Sequence, residues 1–323
     1  MNEIFQAIIQ GILQGATEFL PVSSSGHLAL SQHLMGSHTS GLSGLLFDVM
    51  LHLGTLAAVL LVYHKLIWRL VKEFCRMVRD LFTGKFKWSE MNGDRNLVMM
   101  LIIGLLPLFL LFIPIPGTGM NLKDIGESFA NGQSIMIVGF SLLLTSILLT
   151  LGLMKSKKMV ARFEAEPKQG KHHPVGRRRF NVIDALSVGL AQCFAAILPG
   201  LSRSGSTLSA GLLRGINRQA ALDYSFVIGI PSILAAAVLE LKDALIEGAE
   251  VPVLPMIIGV VVAAVVGFFA IKLLRWMVAS NKLLPFIIYT AVLGIAVLVI
   301  SFIEQGTGSN LFTGDTLAVM LPR

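Results

Sequence analysis

Six long apolar stretches are the feature that most constrains how this chain folds. They cover roughly residues 46–63, 97–115, 134–154, 222–240, 254–274 and 283–303. About 20 apolar residues in a row cross the hydrocarbon core of a bilayer as a helix. Only 14% of the 323 residues are charged and 54% are apolar, whereas an ordinary soluble domain carries about 25% charge. The sequence therefore predicts an all-α integral membrane protein, and it excludes a disordered chain.

The basic residues are distributed very unevenly between the connections. Lys and Arg are concentrated in residues 64–96 and 155–181, whereas connections 116–133 and 241–253 have one Lys each, beside acidic residues. Basic connections mark the cytoplasmic side of a membrane protein. The net charge of +7 thus reflects orientation, and nucleic acid is not an expected partner. A separate amphipathic helix is expected over 66–82, lying on the inner membrane surface.

Two further apolar segments, 4–20 and 182–198, each end in Leu-Pro followed by a cluster of Ser and Gly. Matching residues recur in the same order at offsets of 175 to 179. The matched pairs are Gln14 with Gln192, Leu20-Pro21 with Leu198-Pro199, Ser25-Gly26 with Ser204-Gly205, Asp48 with Asp223, and Gly54 with Gly229. We interpret the chain as one membrane domain with two copies of a single unit. Its parts are a first repeat (1–154), a basic cytoplasmic linker (155–181), a second repeat (182–303) and a short tail (304–323).

Each unit consists of one broken segment followed by three spans, so the second copy is expected to enter the membrane inverted. Inverted repeats with broken helices place their site near the bilayer midplane. Lipid cannot satisfy the free backbone groups of such a break. We therefore predict a re-entrant helix-turn-helix from each side, with helices restarting after Ser25-Gly26 and Ser204-Gly205. Their N-termini would point at the centre and attract anions. The alternative is two ordinary spans that proline only kinks.

Chemically capable side chains cluster at the two breaks, where ionisable groups are costly and indicate function. The first break has Gln14, Glu18, Ser23, Ser24, Ser25 and His27, and the second has Ser202, Arg203, Ser204, Ser206 and Thr207. Together they predict a phosphate site. Arg203 neutralises oxygens, a hydroxyl attacks, and His27 serves as the base. Glu18 and Gln14 provide oxygen ligands of the kind that Mg²⁺ accepts beside substrate phosphates.

Structural roles remain open for the same side chains. Glu18 can pair with Arg203 without a metal, since buried charges require partners. His27 can bond the backbone, and any one of the serines can cap a helix. Four further residues are weaker candidates for the site. Asp48 and Asp223 are expected to be N-caps, His52 lies one turn after Asp48, and His33 is expected to be solvated.

Residues 14–27 read Gln-Gly-Ala-Thr-Glu-Phe-Leu-Pro-Val-Ser-Ser-Ser-Gly-His, and residues 199–207 read Pro-Gly-Leu-Ser-Arg-Ser-Gly-Ser-Thr. These segments resemble the two signatures of the bacterial undecaprenyl-diphosphate phosphatases, also called bacitracin-resistance proteins. The resemblance covers nearly the whole chain. It implies a multi-pass enzyme of the bacterial inner membrane, with its site open to the periplasmic or outer face. Such an enzyme removes one phosphate from undecaprenyl diphosphate and recycles the lipid carrier for cell-wall synthesis, which confers bacitracin resistance.

The resemblance also implies roles for individual residues and a divalent cation, Mg²⁺ or Ca²⁺. Gln14 and Glu18 correspond to the metal or pyrophosphate partners, Ser24 to the nucleophile and His27 to the base. The phosphate-binding positions correspond to Arg203, Ser202, Thr207, Ser23, Ser25 and Ser204. The motif leaves open whether Ser24 or His27 attacks phosphorus, and a glutamine at position 14 weakens a cage of two carboxylates. Expected partners are the lipid substrate and the bilayer, with a homodimer as a further expectation.

Two other classes of protein share some of these features. The acid phosphatase type 2 pattern requires an Arg-Pro pair and a histidine six residues after the arginine of the Ser-Arg element. This sequence has no Arg-Pro, and position 209 is serine, so that class is excluded. A polyprenyl-phosphate flippase or other transporter is the stronger rival, because inverted repeats with broken helices are a transporter architecture. A serine and a histidine beside Arg203 favour hydrolysis.

Overall fold

The computed structural model describes residues 3–35, 45–87, 91–131, 135–165, 175–246 and 252–314. These residues form eleven α-helices and one 3₁₀ segment, without a β-strand in any of the six ranges. The helices are α1 Glu3–Phe19, α2 Ser24–Met35, α3 Leu45–Phe82, α4 Gly93–Leu105 (continued by the 3₁₀ segment Leu106–Phe112), α5 Leu122–Asn131, α6 Met136–Ala165, α7 Val182–Ile197, α8 Arg203–Leu213, α9 Arg218–Ile246, α10 Val253–Ala279 and α11 Leu284–Thr307.

Six helices are long and apolar enough to cross a membrane, namely α3, α4 with its 3₁₀ segment, α6, α9, α10 and α11. Each contains one of the six predicted apolar stretches or most of it, so the prediction of an all-α multi-pass membrane protein is confirmed. Pro107 lies where α4 tightens into the 3₁₀ segment. Proline lacks an N–H donor and crowds the carbonyl four residues earlier, so an α-helix does not pass through it unchanged.

The prediction of a separate surface helix over 66–82 is wrong. The helix α3 runs without a break from Leu45 to Phe82, and residues 64–82 contain neither Gly nor Pro to interrupt it. Its distal part is tied to the start of α4 by Arg95. The Arg95 guanidinium donates to the carboxylates of Glu73 and Asp80, both at 2.8 Å.

Three weaker predictions are also corrected. Asp48 is not an N-cap, because α3 already begins at Leu45. Asp223 lies inside α9, where its carboxylate accepts hydrogen bonds from the Tyr63 hydroxyl at 2.8 Å and the Gln219 amide at 2.9 Å. His33 is buried at the end of α2 rather than solvated. Its Nε2 lies 2.9 Å from the carboxylate of Glu304 on α11.

Both segments predicted to be re-entrant are broken helices rather than kinked continuous ones. The helices α1 and α7 end before residues 20–23 and 198–202, and the chain then restarts as α2 and α8. The restarts, at Ser24 and Arg203, come earlier than predicted, so the Ser-Gly pairs lie in the first helical turns. In each half three long helices follow the broken segment. The opposite orientation of the two halves stays a prediction, as do the repeat boundaries.

Small residues let α1 lie directly against α10. The backbones approach so closely that a Cβ on Gly11 would lie 2.7 Å from the carbonyl oxygen of Gly259. One turn later, a Cβ on Gly15 would lie 2.7 Å from the carbonyl oxygen of Ala263. Small residues spaced four apart are the usual means of close helix packing in membranes. This contact holds the end of α1, and with it the first turn, in a fixed position against α10.

We expect Gly15→Ala to lower the thermal unfolding temperature of the protein in detergent. The added methyl group meets α10 backbone, and overpacking of this kind costs about 1–3 kcal/mol. The matched control is Gly306→Ala near the end of α11, where a Cβ would meet nothing within 4 Å. There the higher helix propensity of alanine leaves stability unchanged or raises it. Equal unfolding temperatures for the two variants would contradict the packing described.

Candidate active site

The helices α2 and α8 begin in the same way. The Ser23 Oγ accepts a hydrogen bond from the Gly26 N–H at 3.1 Å, and the Ser202 Oγ accepts one from the Gly205 N–H, also at 3.1 Å. Each of these hydroxyls lies 3.3 Å from the hydroxyl of the serine two residues further on. A side-chain oxygen that accepts from the first helical turn is an N-cap. Ser23 and Ser202 therefore have the capping role that sequence analysis left open for the serines.

The two turns touch each other at these helix starts. The Gly200 N–H of the second turn donates to the Ser25 Oγ at 3.3 Å, and the Ser204 Oγ donates to the Leu20 carbonyl of the first turn at 3.1 Å. A Cβ on Gly26 would lie only 3.2 Å from the Cα of Gly200. Two helix N-termini thus meet at one point, where the first N–H groups have no intrahelical acceptor. Such a junction favours a negatively charged ligand.

The first turn contains a strained residue. Ser23 has a φ of +75°, a left-handed conformation that costs a non-glycine residue roughly 1–2 kcal/mol. The Ser23 carbonyl accepts hydrogen bonds from the His27 backbone at 3.3 Å and lies 2.7 Å from the His27 Nδ1. Strain of this kind persists where surrounding contacts over-determine it, and it concentrates at functional sites.

The buried carboxylate of Glu18 lies at the centre of the cluster. Its Oε1 accepts a hydrogen bond from the Arg203 guanidinium at 2.5 Å. Its Oε2 accepts from the Ser24 hydroxyl at 2.6 Å and from the Gln14 amide at 3.0 Å. The His52 Nε2 lies 3.6 Å from the same oxygen. Residues from both broken segments and from α3 therefore converge on one carboxylate, and the Glu18–Arg203 pairing considered in sequence analysis is present.

His52 is the member of this cluster to which sequence analysis gave little weight. Its Nδ1 lies 2.8 Å from the Asp48 carbonyl one turn earlier on α3, which directs its Nε2 toward Glu18. The available signal was the spacing of Asp48 and His52 by four residues inside an apolar span. That spacing places two polar groups on one helix face, but it does not reveal that this face meets α1.

Gly229 makes room for the arginine. A Cβ on this residue of α9 would lie 2.0 Å from the Arg203 Nη1, so no other side chain fits beside the guanidinium as it lies. In the sequence, Gly229 is recognisable only as the repeat match of Gly54. The hydroxyl of Thr207 donates to the Arg203 carbonyl at 2.8 Å and lies 2.5 Å from the Ser225 hydroxyl. Thr207 thus supports the α8 backbone behind the arginine.

His27 is oriented away from Ser24. Its Nδ1 faces the Ser23 carbonyl, and its Nε2 lies 2.6 Å from the Tyr289 hydroxyl of α11. Within the described ranges, no hydrogen bond joins His27 to Ser24. The backbone bond considered for His27 is therefore present, whereas its role as a base for the serine stays a prediction. Tyr289 was not detected from the sequence, because it lies in an ordinary apolar span.

The oxygen donors at the site are few. The described part of the chain has no group of three or more His, Cys, Asp and Glu side chains placed to hold a metal ion. Glu18 is the carboxylate at the junction, and the Oε1 of Gln14 is buried without a hydrogen-bond partner in the described structure. One carboxylate and one unsatisfied amide oxygen suit a hard cation whose remaining ligands are substrate phosphates and water. The residues present are compatible with such a cation.

The arrangement combines an arginine, two helix N-termini and a serine hydroxyl around one buried carboxylate. That combination is suited to binding a phosphate group and transferring it, because phosphoryl transfer depends mainly on positioning and on charge neutralisation.

Comparisons with known proteins agree with this chemistry. Residues 7–296 match the family model described as bacitracin resistance protein BacA. The undecaprenyl-diphosphatase of Alkaliphilus metalliredigens is 40% identical over 93% of this chain and 99% of its own length. The undecaprenyl-diphosphatases of Halothermothrix orenii and Bacteroides fragilis are 38% and 36% identical, over 93% and 94% of this chain and 98% and 100% of their own lengths. The chain therefore belongs to the BacA family of bacitracin resistance proteins.

Proposed function

We propose that this protein is an undecaprenyl-diphosphatase, a membrane hydrolase that converts undecaprenyl diphosphate into undecaprenyl phosphate and inorganic phosphate. The observation that carries the proposal is the buried contact of Glu18 with Arg203 and Ser24 at the meeting point of two helix N-termini. The names of the relatives support it. They do not favour the transporter alternative, because the relatives cited are named as phosphatases.

Arg203 binds the terminal phosphate in this proposal. Its side chain is 24% exposed, whereas that of Glu18 is 4% exposed, so an incoming anion reaches the arginine first. The first-turn N–H groups of α2 and α8 and the hydroxyls of Ser25 and Ser204 surround the same point. When the guanidinium binds phosphate, its hydrogen bond to the Glu18 carboxylate weakens. The carboxylate is then able to accept the proton of the Ser24 hydroxyl.

Ser24 attacks the terminal phosphorus. Its hydroxyl already donates to Glu18 at 2.6 Å, so the proton passes to that carboxylate as the Oγ–P bond forms and the bridging P–O bond breaks. Undecaprenyl phosphate leaves with little need for protonation. Water then takes the place of the Tyr289 hydroxyl at the His27 Nε2 and attacks the phosphoserine. It gives its proton to that nitrogen as the Oγ–P bond breaks, while Glu18 returns its proton to the Ser24 Oγ. Ser24 is favoured over His27 as the nucleophile, because His27 faces Tyr289.

Glu18 and Gln14 would hold a divalent cation, Mg²⁺ or Ca²⁺, together with diphosphate oxygens. When bound, the cation supplies charge neutralisation at the leaving phosphate. Gln14 presents its Nε2 to Glu18 in the present arrangement. Rotation of the amide by a half turn directs the buried Oε1 to the same place. This supports a mixed carboxylate–amide site rather than a cage of two carboxylates.

The setting of the reaction follows from the basic connections. If residues 64–96 and 155–181 are cytoplasmic, then α1 enters from the outer side and the site opens to the periplasmic or outer face of the inner membrane. The prenyl tail stays in the lipid between helices while the diphosphate enters the junction. A homodimer stays a prediction, which light scattering of the detergent-solubilised protein tests.

The first test is phosphate release from undecaprenyl diphosphate by the purified protein in detergent with Mg²⁺. We expect Arg203→Ala to lower the rate about 10²–10³-fold, the usual effect of removing one preorganised charge donor. The matched control is Arg178→Ala, since Arg178 is exposed and lies before the start of α7, outside both broken-segment turns. Absence of release from folded wild-type protein, or an equal loss in both variants, would refute the proposal.

A second prediction concerns Gly229. Gly229→Ala should reduce phosphate release about 10²-fold, because the new methyl group displaces the Arg203 guanidinium and an error of about 1 Å in such a group has that effect. Gly306→Ala serves as the control for a new methyl group on a helix. Activity at the wild-type level in Gly229→Ala would show that Arg203 does not act from the position described.

A third prediction concerns the cation. Removal of divalent ions with EDTA should abolish phosphate release. Gln14→Glu should lower the Mg²⁺ concentration that gives half-maximal activity by about tenfold, and Gln14→Leu should raise it by a similar factor. The shift of unfolding temperature with added Mg²⁺ provides a readout that does not depend on activity. If all three proteins respond to Mg²⁺ identically, Gln14 is not a ligand.

A further inference from the structure

Tyr289 connects the second half of the chain to the first turn. It lies on α11, and its hydroxyl is 2.6 Å from the Nε2 of His27, 262 positions away in the sequence. The two rings are nearly parallel, with 12° between their planes and 5.6 Å between their centroids. This is the contact by which α11 reaches a residue of the proposed active site.

The hydrogen bonds determine which nitrogen of His27 carries the proton. The Ser23 carbonyl lies 2.7 Å from the Nδ1, and a carbonyl oxygen can only accept. In the neutral ring the Nδ1 is therefore protonated, and the Nε2 keeps its lone pair. The Tyr289 hydroxyl donates to that lone pair. Ser23 and Tyr289 together fix both the tautomer and the rotation of the ring.

The fold has little need of Tyr289 for packing. The residue is 45% exposed, whereas the other two tyrosines, Tyr63 and Tyr224, are 4% and 2% exposed. Tyr224 donates its hydroxyl to the Met100 carbonyl at 2.6 Å, in the protein interior and away from Glu18. The exposed ring of Tyr289 contrasts with His27, which is 8% exposed. Its defined polar contact is thus with the proposed base.

We propose that Tyr289 is a positioning residue for His27. Its hydroxyl donates to the free Nε2 of the tautomer that Ser23 selects, and it holds the ring in one rotation until substrate and water enter and take the place of that hydroxyl. This inference rests on the proposed function, in which the His27 Nε2 takes the proton of the attacking water. It explains why a hydroxyl-bearing aromatic residue lies half-exposed beside an otherwise buried histidine.

The kinetic test is Tyr289→Phe, which removes the hydroxyl and keeps the ring. We expect the kcat for phosphate release to fall about tenfold, equivalent to the loss of one hydrogen bond, without a rise in KM. The control is Tyr224→Phe, which removes a more deeply buried hydroxyl hydrogen bond elsewhere. It should lower the unfolding temperature and leave kcat unchanged. If Tyr289→Phe keeps the wild-type kcat, or if its loss appears only as a higher KM, the proposal is overturned.

A spectroscopic test separates this inference from the proposed function. The ¹⁵N spectrum of protein labelled at histidine reports the tautomer of each ring, and His27→Gln identifies the His27 signals. We expect the Nδ1-protonated form of His27 in the wild type and in both tyrosine variants, because the Ser23 carbonyl selects it. In Tyr289→Phe the ¹⁵N resonance of the unprotonated Nε2 should move, because that nitrogen loses its hydrogen-bond donor, whereas in Tyr224→Phe it should not. An unchanged Nε2 resonance in Tyr289→Phe would refute the positioning role. An inactive wild type with the expected change in Tyr289→Phe would refute only the phosphatase assignment.

Discussion

The ion pair between the buried Glu18 carboxylate and Arg203 is the interaction on which the rest of the structure depends. The Glu18 carboxylate is 4% exposed, and an unpaired ion there would be very costly, because removing a charge from water is expensive. The pair joins residues 185 positions apart, so it forms only when the two broken segments meet. The packing of small residues between α1 and α10, the two helix turns and the glycine beside the guanidinium all serve that meeting.

The same pair explains why a stable membrane protein retains a reactive centre. Glu18 is satisfied by Arg203, Ser24 and Gln14 in the absence of substrate, so the resting site is not left with an uncompensated charge. In the proposed mechanism, a diphosphate competes with Glu18 for the arginine and thereby releases the carboxylate beside the serine. In this proposal substrate binding and activation of Ser24 are one event, which limits reaction with water or other anions.

Much of the fold was predictable because the bilayer restricts the alternatives. A stretch of about 20 apolar residues has one stable state in lipid, the helix, so all six spans were found. The breaks were indicated but not required by the sequence, since Leu-Pro followed by Ser and Gly disfavours a continuous helix, yet α9 continues through Pro231. The interpretation of residues 66–82 as a separate helix was wrong. The pattern of basic and apolar residues predicts an amphipathic helix there, but it does not show whether that helix is continuous with the span before it. The cap positions of Asp48 and Asp223 failed for a related reason, since helix ends depend on tertiary contacts.

For the site, the sequence by itself determined the kinds of group present: an arginine, a carboxylate, a histidine and hydroxyls at two breaks in apolar helices. It also determined the family, through two long motifs. Only the tertiary structure decided which of these side chains contact each other. In it Ser24 contacts Glu18 and His27 contacts Tyr289. His52 of α3 lies beside Glu18, and Gly229 leaves space for the Arg203 guanidinium. These relations depend on distances between helices that are far apart in sequence, and local spacing contains no information about such distances.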